Sequence, residues 1–300
     1  MSYLSRRQFA AAAGSGALVA PALLAQQTKA VTAADIVERI RGNVGVEWTN
    51  NTVDTFKAGD PATAVKGITV ASMATMDVLK KSAAAGANFI VTAEPTFFGK
   101  ADNPNPPPGR GQPANAPADP VLTAKKEFIE KNGLVVWRFC DHWRLRKPDP
   151  LIQGLSEAME WTKYQSAAEP SHFVLPGVKL DALAATVKSK LGIRGGMRIV
   201  GDPATEIRTI GLLPGTTALA AALKMLPNVD AIVAGEVREW ESVEYAQDTV
   251  TAGMKKGLIL TGRVISEEPG MNLCAAWLKT LVPETRVDYI ATGDPYWRPV

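Results

Sequence analysis

Apolar positions along this chain alternate between short continuous runs and longer stretches with three-to-four spacing, the marks of strands and helices in turn. The spacing predicts a first helix over 32–40, with Thr32 as its N-cap and Ile36, Val37 and Ile40 on one face. The run 67–71 predicts a strand, 75–85 a helix that Gly86 ends, and 88–93 the next strand. Strand, helix and strand at this spacing make a βαβ unit, which implies a parallel sheet. Further helices are predicted over 121–131, 151–159, 180–191, 217–225, about 242–255 and 270–281. Further strands are predicted over 134–139, 197–200, 209–213, 231–234, 258–260 and 287–291, with a second series of elements beginning near Phe173. The stretch 102–120 is rich in Pro, Asn and Gly and reads as an irregular surface loop. Helices and strands alternate throughout, which argues for the α/β class, and no repeat of fixed period is present.

With 300 residues, 46% of them hydrophobic, the chain has enough apolar surface for one large domain or two modest ones. Charged residues at 21% exclude a disordered chain. The formal charge of +3 drops by two, to +1, without residues 1–25, which hold Arg6 and Arg7 and no acid. No dense Lys/Arg run occurs, so a nucleic-acid polymer is not an expected partner. Cys140 and Cys274 make no disulfide framework, and Cys274, in an apolar helical stretch, is expected in the core.

The amino end changes the expected location. Ser5-Arg6-Arg7-Gln8-Phe9 precedes an Ala-rich apolar stretch reaching Ala25, with small residues at Ala20, Ala22 and Ala25 as cleavage sites. That order describes a twin-arginine export signal over 1–27. The expected location is periplasmic or otherwise extracytoplasmic, with membrane contact only during export. The apolar stretch is short for a span and is broken by Gly14, Gly16 and Pro21.

In open parallel sheets, ligands gather at the carboxyl ends of strands. Those ends carry Glu94; then Cys140, Asp141, His142, Trp143 and Arg144; then Glu236, Arg238 and Glu239; then Arg263, Ser266, Glu267 and Glu268. Four strand ends carry carboxylates and three also carry arginine, the composition of a polar cleft. No Gly-x-x-x-x-Gly-Lys-Ser/Thr loop and no Gly-x-Ser-x-Gly elbow occurs.

Gly86-Ala87-Asn88-Phe89-Ile90-Val91-Thr92-Ala93-Glu94-Pro95-Thr96-Phe97-Phe98 resembles the strand and turn that carry paired histidines in the Nif-three-like proteins, also called dinuclear metal-centre proteins or type 2 GTP cyclohydrolase I. The resemblance continues through 198–203, Val233-Ala234-Gly235-Glu236 and Gly262-Arg263-Val264-Ile265-Ser266-Glu267, in the same order. It implies two α/β lobes of mixed, mostly parallel sheets with flanking helices and a cleft between them, the first lobe over 32–168 and 246–300, the second over 169–245. It also implies a homo-oligomer, often a hexamer, and a metal-dependent hydrolase.

The departures bear on the metal. Ala93 and Glu94 stand where the resemblance implies two histidines, Cys140 at or near a third, and Arg263 at a fourth, while Glu267 is kept; Arg144 falls near the implied aspartate, unless Asp141 takes that role. The set left to hold a metal is Glu94, Asp141, His142 and Glu267, mostly oxygen donors, which suits Mn or Mg better than the Zn or Fe of imidazole-rich sites. Two readings follow. In one, a divalent ion activates water and Glu94 or Glu267 acts as base on an anionic or nucleotide-like small molecule. In the other, no metal binds: Arg263 replaces its charge, and Arg144, Arg238 and Arg263, with Trp143, Trp240, Glu236 and Glu239, form an anion-binding or scaffold surface.

Overall fold

The computed structural model describes residues 30–107 and 119–297. The export signal expected over 1–27 and most of the Pro-rich loop lie outside the described residues. From the amino side the order is α1 (Ala33–Asn43), β1 (Phe56–Ala58), β2 (Ile68–Ala71), α2 (Met76–Ala84), β3 (Phe89–Thr92), α3 (Pro120–Lys131), β4 (Val135–Arg138), α4 (Asp141–Leu145) and α5 (Pro150–Ala158). It continues with β5 (His172–Lys179), α6 (Leu180–Lys190), β6 (Arg198–Val200), β7 (Glu206–Thr217), α7 (Leu219–Met225), β8 (Ala231–Val237), α8 (Glu244–Thr251), β9 (Gly257–Leu260), α9 (Arg263–Leu281) and β10 (Val287–Tyr289). Thr32 caps α1 as its sequence predicts: its hydroxyl accepts from Asp35 N, and the Asp35 carboxylate accepts from Thr32 N at 2.9 Å.

The strands form two mixed five-stranded sheets. One has the order β1-β4-β3-β2-β10, parallel except for β1; the other has β5-β7-β8-β9-β6, parallel in the middle with an antiparallel strand at each edge. The inner strands are buried on both faces, which explains their unbroken apolar runs. In the first sheet Val70, Phe89, Val91, Val135 and Trp137 point into a core shared with α1 and α9, while Ile90 and Val136 point the other way, toward α2 and α3. In the second, Ile210, Leu212, Val233 and Ile259 face α5 and α6, and Ile232, Ala234 and Leu258 face α7 and α8. Val31–Val300 forms one compact unit. The strand Gly257–Leu260, assigned from the sequence to the first lobe, pairs with β8 in the second sheet, because its apolar run completes that sheet's core.

Helix α9 differs most from its predicted bounds. The sequence places its start at 270, because Pro269 reads as a boundary. The helix instead begins at Arg263 and carries Pro269 inside it. Pro269 has no N–H to bond the carbonyl one turn back. Packing on both sides holds the helix through that defect, since α9 lies against β2 and β10 of one sheet and β7 and β8 of the other. It meets α5 at Gly154 and Gly270: a Cβ on Gly154 would lie 2.5 Å from Gly270 N, so the backbones touch only because neither residue has a side chain. Among the described residues no helix is long and apolar enough to cross a membrane.

Candidate functional site

Glu94 follows β3, and its N–H donates to Ser72 O at 2.9 Å, which fixes the turn at the carboxyl end of the first sheet. Arg138, the last residue of β4, donates from Nε to Ala93 O at 2.9 Å on the other side. In the second sheet the ladder runs past β9: Thr261 N donates to Ala234 O at 2.9 Å and Gly262 N to Gly235 O at 3.0 Å. The chain then turns through Gly262, at φ +94°, directly into α9. The carboxyl ends of β3 and β9 thereby bring Glu94 against the first turns of α9.

There the Arg263 guanidinium makes an ion pair with Glu94 Oε2, and its Nε lies 4.0 Å from Glu267 Oε1, one helical turn on. Both carboxyl groups are 2% exposed, while 31% of the Arg263 side chain reaches solvent. Gly215, at φ +79°, closes the far side: a Cβ there would stand 2.5 Å from Glu267 Oε1 and 3.4 Å from Arg144 Nη1. Ser266 Oγ accepts from Gly215 N at 2.9 Å and donates to Arg263 O at 2.6 Å, tying the helix start to β7.

Burial, and then the Glu94 carboxylate, push the Glu267 carboxyl up to about 8, against the opposing pull of Arg263 and Arg144. Burial works against the Arg263 charge, but Glu94, Glu267 and Glu236 outweigh it, so its guanidinium is held above its ordinary value. Burial, and next Glu94, also raise the nearby Cys140 thiol to about 12, which leaves it a thiol and a poor nucleophile at neutral pH. The cluster is a guanidinium held between two buried carboxyl groups, of which Glu267 is pushed toward its protonated form, with Arg144 beside Glu267.

Asp141 and His142 lie elsewhere. Asp141 accepts from Thr52 Oγ1 at 2.8 Å and Val53 N at 3.0 Å. His142 is fully buried and uses both ring nitrogens: Nδ1 bonds Asp54 at 2.7 Å and Nε2 accepts from Thr49 N at 3.0 Å. Its ring stacks on Trp48 at 3.7 Å. No lone pair is left on His142 for a metal, and Asp141 is engaged by Thr52 and Val53, so of the expected set only Glu94 and Glu267 converge, on Arg263. Trp143, expected to stack on a ligand, is 2% exposed and packs on Phe139 and Trp277 with Arg146 over its ring. Glu239 pairs with Arg198 at 2.5 Å and Arg238 with Glu241 at 2.8 Å, both on the surface. Trp240 is exposed. The two cysteines are free, and Cys274 is in the core.

The sequence reading passed over Asp54, whose carboxylate accepts from the N–H groups of Cys140, Asp141 and His142 and holds the start of α4. Beside the cluster, at the strand ends where the sequence places a polar cleft, lies a cavity of about 870 Å³. Arg263 and Glu236 line it together with Asp77, Arg198, Asp294 and Tyr296. Glu94 and Glu267 sit behind Arg263 and do not line it. Thr75 and Asp77, at the amino end of α2, carried a signal in the strand-end rule, since they follow β2 closely.

Several solved structures share this fold. Bacillus cereus protein related to NIF3 superposes with a TM-score of 0.66 at 14% identity, over 91% of this chain and 100% of its own. Staphylococcus aureus protein SA1388 gives 0.65 at 16%, over 90% and 99%. Reduced HcgD from Methanocaldococcus jannaschii gives 0.59 at 15%, over 86% and 97%. The chain has the fold of the NIF3-related proteins. No family model and no curated protein sequence matches it.

Within the NIF3-like fold, the residues of this chain do not fit a divalent ion. Arg263, with no lone pair to give, stands on the Glu94 carboxylate. A cation beside it would be repelled by about 4 kcal/mol per unit charge at short range in a medium of intermediate dielectric. Ala93 offers no side-chain donor, and the Arg263 guanidinium already occupies the space beside both Glu94 and Glu267. Among the described residues no group of three His, Cys, Asp or Glu is placed to hold a metal.

Proposed function

We propose that this chain is a small-molecule-binding protein of the NIF3-like fold that works without a metal ion, and that it acts outside the cytoplasm. The observation that carries the proposal is the Arg263–Glu94 ion pair beside Glu267, where a fixed guanidinium takes the charge-bearing position that the family resemblance gives to metal. A guanidinium cannot be deprotonated to coordinate, and its presence neutralises the carboxylate a metal would need. The adjoining cavity, at about 870 Å³, falls in the range of small-molecule sites. It lies at the carboxyl ends of β8 and β9, where open parallel sheets bind ligands.

The test is elemental analysis of the protein purified without chelator, combined with thermal unfolding in the presence and absence of EDTA. The expected result is substoichiometric divalent metal and an unchanged melting temperature. An ion held firmly through dialysis, or a melting temperature lowered by the chelator, overturns the proposal, because ligands that bind only the folded state raise its stability.

A further inference from the structure

We infer that the cavity takes a molecule with a positively charged amine on an apolar body. The inference rests on the ligand-binding reading above and adds the ligand's charge.

Two cations line the cavity, Arg263 and Arg198, and each is already engaged. Arg263 pairs with buried Glu94, and Arg198 pairs with Glu239 at 2.5 Å. Three carboxylates line it: Asp77, Glu236 and Asp294. Asp77 pairs with Lys81 at 2.7 Å on the exposed face of α2. Glu236 is different. It stands near the end of β8, its backbone paired with β7 and its side chain exposed, and that side chain makes no hydrogen bond or ion pair among the described residues. Its field reaches Arg263, which places it at the same end of the cavity.

The amino end of α9 also opens here, without a side-chain cap and without an acid in its first turn. Its partial charge is about half a unit, less than the full charge on Glu236 alone. With Arg263 neutralised from behind by Glu94, the uncompensated charge at this end of the cavity is negative. An anion would meet Glu236; an ammonium group would pair with it.

Met73, Ile193, Met197, Leu260 and Ile265 give the cavity an apolar wall, beside which Thr75, Thr261 and Thr292 also line it. Tyr296 lines the cavity as well and is 70% exposed, so its ring is open to a cation. The surface thus offers a carboxylate and an aromatic ring for the charged group and a hydrophobic wall for the rest of the molecule.

Three probes of one size separate the charge states at pH 7: 2-phenylethylamine, a cation; phenylalanine, a zwitterion; and 3-phenylpropionate, an anion. Calorimetric titration into the full chain at low salt is expected to rank them in that order, with the amine at least about tenfold tighter than the anion. Glu236→Gln, at an exposed position that the fold does not depend on, is expected to weaken the amine about tenfold and leave the anion no weaker. The inference is overturned if the anion binds most tightly, if Glu236→Gln keeps the preference intact, or if none of the three binds. Preference for the anion reverses the charge while leaving a metal-free binding site in place. A firmly held metal ion in the same protein overturns the reading beneath it.

Discussion

Arg263 and Glu267 lie one turn apart on α9 and converge on Glu94 from the other sheet, so three ionisable groups share a site with little access to water. Burial, and then Glu94, push Glu267 toward its protonated form, and that has a consequence for stability. Its folded value, about 8, lies above the ordinary 4.5, so between those values the folded chain holds a proton that the unfolded chain has released. Stability contributed by the group is therefore full below about 4.5 and falls as the pH rises toward 8. Glu267→Gln has the shape of the protonated carboxyl and no proton to lose. Its melting temperature relative to the parent is expected to rise with pH across this window and then level off, with a total change on the order of a few kcal/mol. Melting curves taken from pH 5 to pH 9 check it, and a difference between variant and parent that does not vary with pH refutes the protonated state.

At the scale of elements, the rule that ligands collect at strand ends makes Glu94, Arg263, Glu267 and Glu236 legible in the sequence, because each lies at or just past the end of a strand whose apolar run is plain there. Asp141 and His142 follow a strand equally closely and go elsewhere. Their partners, Asp54, Thr52 and Thr49, come from a segment about ninety residues earlier with no periodic pattern, and such long-range pairing leaves no local trace. Helix α4 was missed for the same reason: it is five residues long and its start is held by Asp54 rather than by a neighbouring cap. The start of α9 was hidden by Pro269, whose local preference is overridden by packing against both sheets. That packing depends on the contact between α5 and α9. A Cβ on Gly270 would sit 2.5 Å from Leu151 Cδ2 and 2.7 Å from its Cα. In an exposed helix, Gly→Ala gains about 1 kcal/mol. Here overpacking, at about 1–3 kcal/mol, opposes it with backbone that cannot give way, so Gly270→Ala and Gly154→Ala are each expected to destabilise. Urea unfolding measures the sign, and a stabilising Gly270→Ala is incompatible with helices in backbone contact.

For the whole molecule, the question is whether two sheets, each with apolar residues on both faces, unfold as one. Chains of this size commonly pass through intermediates, and a two-sided core in each sheet would allow them to separate. Two helices argue against it. On α5, Leu151 belongs to the core of the first sheet and Leu155 to that of the second. On α9, Met271, Cys274 and Leu278 sit in the first core, while Ile265 packs on the second. Melting either sheet alone would expose part of each helix and break the Gly154–Gly270 contact between them, so neither core can be lost without damage to the other. The tryptophans allow a direct test. Trp48, Trp137, Trp143 and Trp277 pack in or against the first core and Trp161 in the second, so with Trp161 replaced by Phe the buried tryptophans report on the first sheet, whereas far-ultraviolet dichroism reports on the helices and strands of both. The two signals are expected to share one urea midpoint, and Gly270→Ala is expected to move both by the same amount. A fluorescence transition separated from the dichroism transition, or a midpoint shift confined to one of them, would show that the shared helices do not couple the sheets.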